Sequence, residues 1–308
     1  MKKYSKSIDM KDLGRTIVWR KEIAYDQKKL AKKFLPTVEK INSCPICNNK
    51  NSKHYVTVYD FIYDECDACG HIFCATRPDI EKTKNLYTTD SDEKSVQAKI
   101  YLNDSLYLKR TQTIAQPKVE FVMEYLSEKR SIDNLKWIDV GSGTGEVLNA
   151  CLKLGIEAIG VESDPNEAAF AVDKGFKVIN KIMDDYNSYE IIKNADIVSA
   201  FNVLEHVHEP IKFLKNLIGS NDNQIVVFEV PRHPSLSSFL NQCFPEQACR
   251  HIYPPDHLHI FTESSINKML DQCDLELKST WNFGQDFYEL VTSCASHSKY
   301  ESKFLLKM

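Results

Sequence analysis

The stretch from Leu135 to Glu162 reads L-K-W-I-D-V-G-S-G-T-G-E-V-L-N-A-C-L-K-L-G-I-E-A-I-G-V-E, and the fold turns on how it is read. Trp137, Ile138 and Val140 make an apolar run of strand length. The run enters Gly141, Gly143 and Gly145. Val147, Leu148, Cys151, Leu152 and Leu154 then recur at helical spacing up to Gly155, a residue suited to closing a helix. Ile156, Ala158, Ile159 and Val161 form a second apolar run that ends on an acid, Glu162. Strand, glycine loop, helix, strand and acid make half of a nucleotide-binding βαβ unit. Glycines let the backbone turn sharply and approach a ligand closely. The free N–H groups of the following helix point at the same place. A carboxylate at the tip of the second strand can accept from both hydroxyls of a ribose. The spacing is G-x-G-x-G, not the G-x-G-x-x-G of dinucleotide enzymes, and Asp139 stands two residues before the first glycine. Together these fit an adenosyl ligand without a pyrophosphate, S-adenosylmethionine (SAM) ahead of NAD.

Downstream, Asp164-Pro165 reads as a helix cap with proline at the first helical position, and that helix runs to Gly175. Phe176 to Ile179, Ala195 to Phe201 and Gln224 to Val230 read as third, fourth and fifth strands, with a helix from Ile211 to Ile218 before the last. Alternating strands and helices imply a parallel sheet covered on both faces. Ligands then lie beyond the carboxyl ends of the strands. That edge carries Asn202, Glu205, His206 and His208 after the fourth strand, and the loop from Pro231 to about Pro255 after the fifth.

Upstream, Cys44-Pro-Ile-Cys47 and Cys66-Asp-Ala-Cys69 are two C-x-x-C pairs separated by eighteen residues, a zinc spacing. Two such knuckles complete a closed tetrahedral shell, so a structural zinc is expected on Cys44, Cys47, Cys66 and Cys69; iron suits the same ligands. Gly70 gives the second knuckle the open backbone it needs, and Tyr55 to Tyr59 alternates as a hairpin would. His71 and Cys74 are expected beside the ribbon and not as ligands. Ahead of it, Ile17, Val18, Ile23, Ala24, Leu30, Ala31 and Leu35 recur at helical spacing up to Pro36, a lysine-rich helix expected to pack on its own body, with a dimer contact as the other use. Residues 79–117 carry many charges with Tyr87, Tyr101 and Tyr107, and read as a helical connector that could close over a site.

The chain has 308 residues, 43% apolar and 27% charged, with a net charge of -4. An acidic balance argues against a protein built mainly to grip nucleic acid. No apolar run is long enough for a transmembrane helix, and the first thirty residues lack a signal-peptide core, so a cytoplasmic location is expected. In a reducing compartment ten cysteines favour metal binding over disulfides.

With D-V-G-S-G-T-G at Asp139 to Gly145, the strand-end Glu162, and F-N-V-L-E-H-V at Phe201 to Val207, the sequence resembles the class I SAM-dependent methyltransferases from about residue 118 to 290. With the cysteine pairs it resembles, more narrowly, bacterial zinc-ribbon methyltransferases of sugars and surface-polysaccharide intermediates. The resemblance implies an α/β, Rossmann-like sheet with helices on both faces and a small N-terminal zinc ribbon. It implies that Gly141, Gly143 and Gly145 pass under the methionine and ribose of SAM. Asp139 would face the methionine ammonium, Glu162 would hold the ribose hydroxyls, and the main chain near Asn202 would flank the sulfonium. Asp184 and Asp185 are the candidates for the acid that meets the adenine amino group. In the resembling sugar C-methyltransferases a Tyr-His-Glu-His segment supplies the base. Here that place reads Tyr253-Pro-Pro-Asp-His257, so His257 is the expected base with Tyr253 and His206 assisting. Those enzymes carry a further C-terminal domain, whereas this chain stops soon after Trp281 to Leu290, which makes oxygen the expected methylation site; Ser298 to Met308 reads as a loose tail.

The expected organisation is a helical arm at 1–39, the zinc ribbon at 40–78, a connector or lid at 79–117 and the SAM-binding domain at 118–308. The expected acceptor is a small molecule or glycan. Three other readings stand beside it. An RNA base methyltransferase would hold RNA on the ribbon, but Asn202-Val-Leu-Glu replaces the N-P-P-Y expected for amino groups of bases. A non-catalytic module would bind SAM or a partner without transfer. An NAD oxidoreductase is disfavoured by the glycine spacing.

Overall fold

The computed structural model describes residues 2–4, 17–35, 38–88, 101–129, 131–183, 188–247, 250–284 and 286–297. Asp184, Asp185 and the segment from Ser298 to Met308 lie outside them. The chain's contacts fall into two units, Lys84–Val230, and Lys2–Thr83 with Pro231–Met308. This differs from the linear order of arm, ribbon, connector and sheet domain, because the segment after Val230 clusters with the cysteine ribbon.

In the first unit five parallel strands lie in the order Ile225–Glu229, Ile197–Phe201, Lys136–Val140, Glu157–Glu162, Val178–Asn180. The expected strands are all present, the third and fourth each beginning two residues later than expected. A parallel strand covered on both faces is apolar on both, and in Lys136–Val140 every residue after Lys136 is buried. Helices Gln116–Ser127 and Glu146–Lys153 pack on it through Val119, Val122, Leu126, Val147, Ala150 and Cys151 around Trp137. Each large apolar side chain buried this way contributes about 1.5–3 kcal/mol. Strand order reverses between Lys136–Val140 and Ile197–Phe201, so the chain leaves these two strands in opposite directions. The crevice at their carboxyl ends is where such sheets bind ligands.

The connector is helical where described. Asp104–Arg110 passes through a π-helical turn, Thr111–Ala115, into Gln116–Ser127. Asn103 caps its start by accepting from the Leu106 N–H at 3.1 Å.

In the second unit an antiparallel sheet runs in the order His259–Ile260, Ile72–Cys74, Phe61–Cys66, Ser52–Val58. The alternation around Tyr55 belongs to this hairpin, and Tyr59 and Asp60 make its two-residue turn with φ of 49° and 70°. The strand His259–Ile260 explains why the segment after Val230 joins the ribbon. It pairs with Ile72–Cys74 across nearly two hundred residues, and Phe61, Tyr63, Ile72, Phe73, Ile260 and Phe261 are all buried. The N-terminal helix is Ile17–Phe34, buried along Arg20, Ile23, Ala24, Gln27, Leu30, Ala31 and Phe34. Arg20 pairs with Glu289 of helix Asp286–His297, and Arg250 pairs with the same carboxylate. Burial pushes the Glu289 carboxyl up, but the Arg250 and Arg20 guanidiniums outweigh it and hold it down at about 2.

Candidate functional site

The glycine loop takes its shape from three left-handed residues: Gly141, Gly143 and Gly145 have φ of 71°, 53° and 85°. At Gly141 the need for glycine is also steric, since a Cβ there would lie 2.6 Å from Val203 Cγ2. The loops after the first and fourth strands thus meet backbone to side chain. Glu162 holds the loop from the other side. Its Oε2 accepts the Gly143 N–H at 2.7 Å and its Oε1 accepts the Asp164 N–H at 2.8 Å. Asp164 itself caps helix Pro165–Asp173. The strand-end carboxylate, 6% exposed, is therefore fixed before any ligand arrives.

Asp139 lies two residues before the loop and is 2% exposed. Ser199 Oγ donates to its Oδ1 at 2.5 Å, and Trp137 Nε1 donates to Ser199 Oγ at 2.6 Å. The chain Trp137–Ser199–Asp139 ties the first and fourth strands together across the switch point. Burial, opposed by the Ser199 hydrogen bond and by Lys118, pushes the Asp139 carboxyl up to about 7.

Past the fourth strand, Asn202 is left-handed with φ of 55°, and its N–H donates to the Glu229 carbonyl at 3.0 Å. Glu205, three residues on, is 1% exposed. Burial, with the Glu229 charge adding to it, pushes its carboxyl up to about 8. Next to it, His206 Nδ1 lies 3.0 Å from the Tyr87 hydroxyl.

Several residues of this edge carry no motif. Tyr107 and Arg110, from the connector helix, reach the glycine loop. Arg110 Nε donates to Glu146 Oε1 at 2.6 Å, and the Tyr107 hydroxyl donates to the Gly145 carbonyl at 3.5 Å. Lys118 pairs with Glu229 at the tip of the fifth strand and lies 4.9 Å from the Phe201 ring centroid. The one sequence signal for Lys118 is a charge set beside Val119 on an apolar helix face. Tyr87 and Tyr107 lie in the connector that the sequence reads as able to close over a site, while Arg110 and Ser199 give no signal of their own.

A fixed carboxylate at the second strand's tip, bare glycine backbone beside it and a left-handed residue across the switch point fit an adenosyl sulfonium.

In the second unit the four cysteines converge, with their sulfurs all within 4.8 Å of one another. Cys44 Sγ lies 3.7 Å from Cys69 Sγ, and Cys47 Sγ lies 3.5 Å from Cys66 Sγ. A tetrahedral zinc at about 2.3 Å from each sulfur requires edges of about 3.8 Å, so the set fits that ion. The knuckles turn on left-handed residues, Asn48 with φ of 58° and Gly70 with φ of 66°. Asn48 plays in the first knuckle the part expected of Gly70 in the second. The C-terminal segment braces both: Gln272 Nε2 donates to the Ile46 carbonyl at 2.7 Å, and Thr262 Oγ1 donates to the Cys69 carbonyl at 2.7 Å. His71 lies outside the cluster, 3.1 Å from His259 across their ring nitrogens, and Cys74 donates to the Thr76 carbonyl.

Tyr253 and His257 also belong to the second unit, and the structure brings them together with ring centroids 4.2 Å apart. His257 Nδ1 lies 2.9 Å from the His251 carbonyl. A carbonyl can only accept, so Nδ1 carries a proton. Gln27 Nε2 steadies the same loop, donating at 2.9 Å to the Pro254 carbonyl and at 2.9 Å to Asp256 Oδ2. His206, the third expected catalytic residue, lies in the first unit with Asp139, the glycines, Glu162 and Asn202.

Comparison with known proteins adds a family. The sequence model of a methyltransferase domain matches residues 107–280, more than half of the chain. No curated protein matches it. Among solved structures, a SAM-dependent methyltransferase from Archaeoglobus fulgidus is 22% identical over 51% of this chain and 66% of its own, with a TM-score of 0.39. Magnesium protoporphyrin IX methyltransferase from Synechocystis, with S-adenosylhomocysteine bound, is 14% identical over 63% of this chain and 89% of its own, with a TM-score of 0.47. The plantazolicin methyltransferase BpumL is 15% identical over 70% of this chain and 75% of its own, with a TM-score of 0.39. Among the described residues no helix is long and apolar enough to cross a membrane.

Proposed function

The chain belongs to the methyltransferase-domain family, and on that premise we propose that it moves the methyl group of SAM to a hydroxyl of a sugar, sugar nucleotide or polysaccharide intermediate. The observation that carries the cofactor half is Glu162, held by Gly143 and Asp164 at the tip of the second strand. In this reading Glu162 takes the ribose hydroxyls and the backbone of Gly141 to Gly145 passes beneath the methionine and ribose. Asp139 puts a carboxyl below the methionine ammonium, and the Asn202 main chain flanks the sulfonium. The acceptor half rests on the pairing of a four-cysteine ribbon with a glycine-loop unit, as in the sugar methyltransferases the sequence resembles.

SAM supplies an electrophilic methyl, so the protein's task is to align the hydroxyl with it and to take a proton. His257, whose Nδ1 faces the His251 carbonyl, meets the chemical requirement for a base, and Tyr253 packs on its ring. His206 is the second histidine of the proposal. The four-cysteine site is proposed to hold zinc, in support of which stand sulfur separations of 3.7 and 3.5 Å. A closed shell has no position for substrate, so that metal is structural.

The test is transfer of isotopically labelled methyl from SAM to a panel of sugar nucleotides and lipid-linked sugars, with an RNA arm. A methylated sugar detected by mass supports the proposal. Label found in RNA alone, or SAM bound without transfer to any acceptor, contradicts it.

A further inference from the structure

His206 has two ring nitrogens in different surroundings, and the difference assigns it a task. Its residue lies in the loop after the fourth strand, where the His206 N–H donates to the Val203 carbonyl at 3.0 Å and closes a turn. On one side of the ring, Nδ1 lies 3.0 Å from the hydroxyl of Tyr87, near the end of helix Ile80–Thr88. The two rings meet edge to face with centroids 5.7 Å apart, which restricts the rotation of the imidazole. On the other side, Nε2 lies 4.0 Å from Glu205 Oε1. That is too long for a direct hydrogen bond. It is the span bridged by one oxygen making two hydrogen bonds of about 2.8 Å at about a right angle. Glu205 is 1% exposed, and among the described residues its Oε2 has no hydrogen-bond partner. A buried carboxyl oxygen without a partner is costly unless a ligand completes it.

We propose that Tyr87 is a positioning residue: its phenol oxygen accepts the Nδ1 proton of His206, so that the His206 Nε2 lone pair, with Glu205 as a second point of grip, takes the proton of the acceptor hydroxyl. The inference rests on the methyltransferase reading and deepens it. It places the base at His206 of the first unit instead of His257. In the step, the acceptor O–H bond gives its proton to His206 Nε2 while an oxygen lone pair forms the new bond to the methyl carbon of SAM. The sulfur–methyl bond breaks with its electron pair going to sulfur, which leaves neutral S-adenosylhomocysteine. The imidazolium then loses its proton to solvent. Burial pushes Glu205 up to about 8, so near neutrality it keeps its proton and aligns the oxygen without competing as a base.

The test uses the full chain with nitrogen-labelled histidine and long-range proton–nitrogen correlation of the rings, with S-adenosylhomocysteine present. His206 is assigned by loss of its signals in His206→Gln. The expected result is a neutral His206 in the Nδ1–H form, moving toward the Nε2–H form in Tyr87→Phe. An Nε2–H form in the parent protein overturns the proposal, and so does a tautomer unmoved by Tyr87→Phe. If that variant fails to fold, the tautomer of the parent still decides. With an acceptor in hand, Tyr87→Phe is expected to lower kcat about tenfold with the KM for SAM unchanged, since general-base help contributes roughly 10²–10⁴-fold and only its alignment is lost. Transfer retained in His206→Gln and abolished in His257→Gln would return the base to His257. Binding of S-adenosylhomocysteine is a separate readout: its loss in the parent protein sinks the methyltransferase reading, while its retention beside a wrong tautomer sinks this inference alone.

Discussion

The four-cysteine cluster and the glycine-loop edge are built on opposite plans. In the first, four sulfurs from two knuckles point at one centre, and the C-terminal segment braces each knuckle through a backbone carbonyl. Four sulfurs around one centre leave no open side, so an ion held there would be part of the fold. In the second, the polar side chains hold the protein's own parts. Glu162 holds Gly143, Arg110 holds Glu146, Ser199 holds Asp139, and Lys118 holds Glu229. A site that keeps its ligand closes around it; a site that exchanges its ligand stiffens its walls and stays open.

The largest expected effect breaks the first plan. Structural zinc contributes on the order of 10 kcal/mol to folding, so chelation or Cys47→Ser should empty the metal from the chain and lower the melting temperature by at least ~10 °C. Metal analysis beside a thermal melt checks this, and an unchanged melt would show that the knuckles hold without an ion. Iron in place of zinc would appear in the same metal analysis.

A smaller effect breaks the second plan at its tightest point. Gly141→Ala forces a φ of 71° on a residue with a Cβ and sets that atom 2.6 Å from Val203 Cγ2. Strain of this kind costs about 1–3 kcal/mol, so affinity for S-adenosylhomocysteine should fall roughly tenfold or more. Adding Val203→Ala should recover the part due to the clash and leave the part due to φ. A full recovery would show that the turn itself does not require glycine.

The smallest expected effect is a pH dependence. A carboxyl whose pKa is raised on folding binds more protons folded than unfolded, so stability falls as pH rises between the two values. For Asp139 the window runs from about 4, the ordinary carboxylate value, to about 7. Asp139→Asn keeps an acceptor for Ser199 and has no proton to lose. Denaturant titrations should therefore show the parent losing stability relative to the variant as pH rises through that window, with no further change above pH 8. Parallel curves at all pH values would show that Asp139 is ionised in the folded protein.

The two plans also differ in how far the sequence disclosed them. The cysteine cluster is almost wholly local, since all four cysteines lie from 44 to 69 in a spacing few other sites use. Its bracing by Gln272 and Thr262 was hidden, because a strand as short as His259–Ile260 has no pattern of its own and pairs with Ile72–Cys74 far away in sequence. The cofactor edge was legible where strand, glycines, helix and acid follow one another from Trp137 to Glu162. It was illegible where tertiary packing brings in single side chains, as with Tyr107 and Arg110 on the glycine loop or Tyr87 on His206. Such residues obey no period or spacing. Their identity as site residues comes only from the contacts they make.

In the proposed reading SAM lies on the glycine loop with its ribose on Glu162. Calorimetric titration of the metal-replete protein with S-adenosylhomocysteine, beside Glu162→Ala, tests it most directly. Micromolar binding is expected for the parent and an affinity lower by roughly 10- to 100-fold for the variant, since a hydrogen bond to a charged group contributes about 1.5–3 kcal/mol. A well-folded parent that does not bind, or a variant that binds as tightly as the parent, would contradict it.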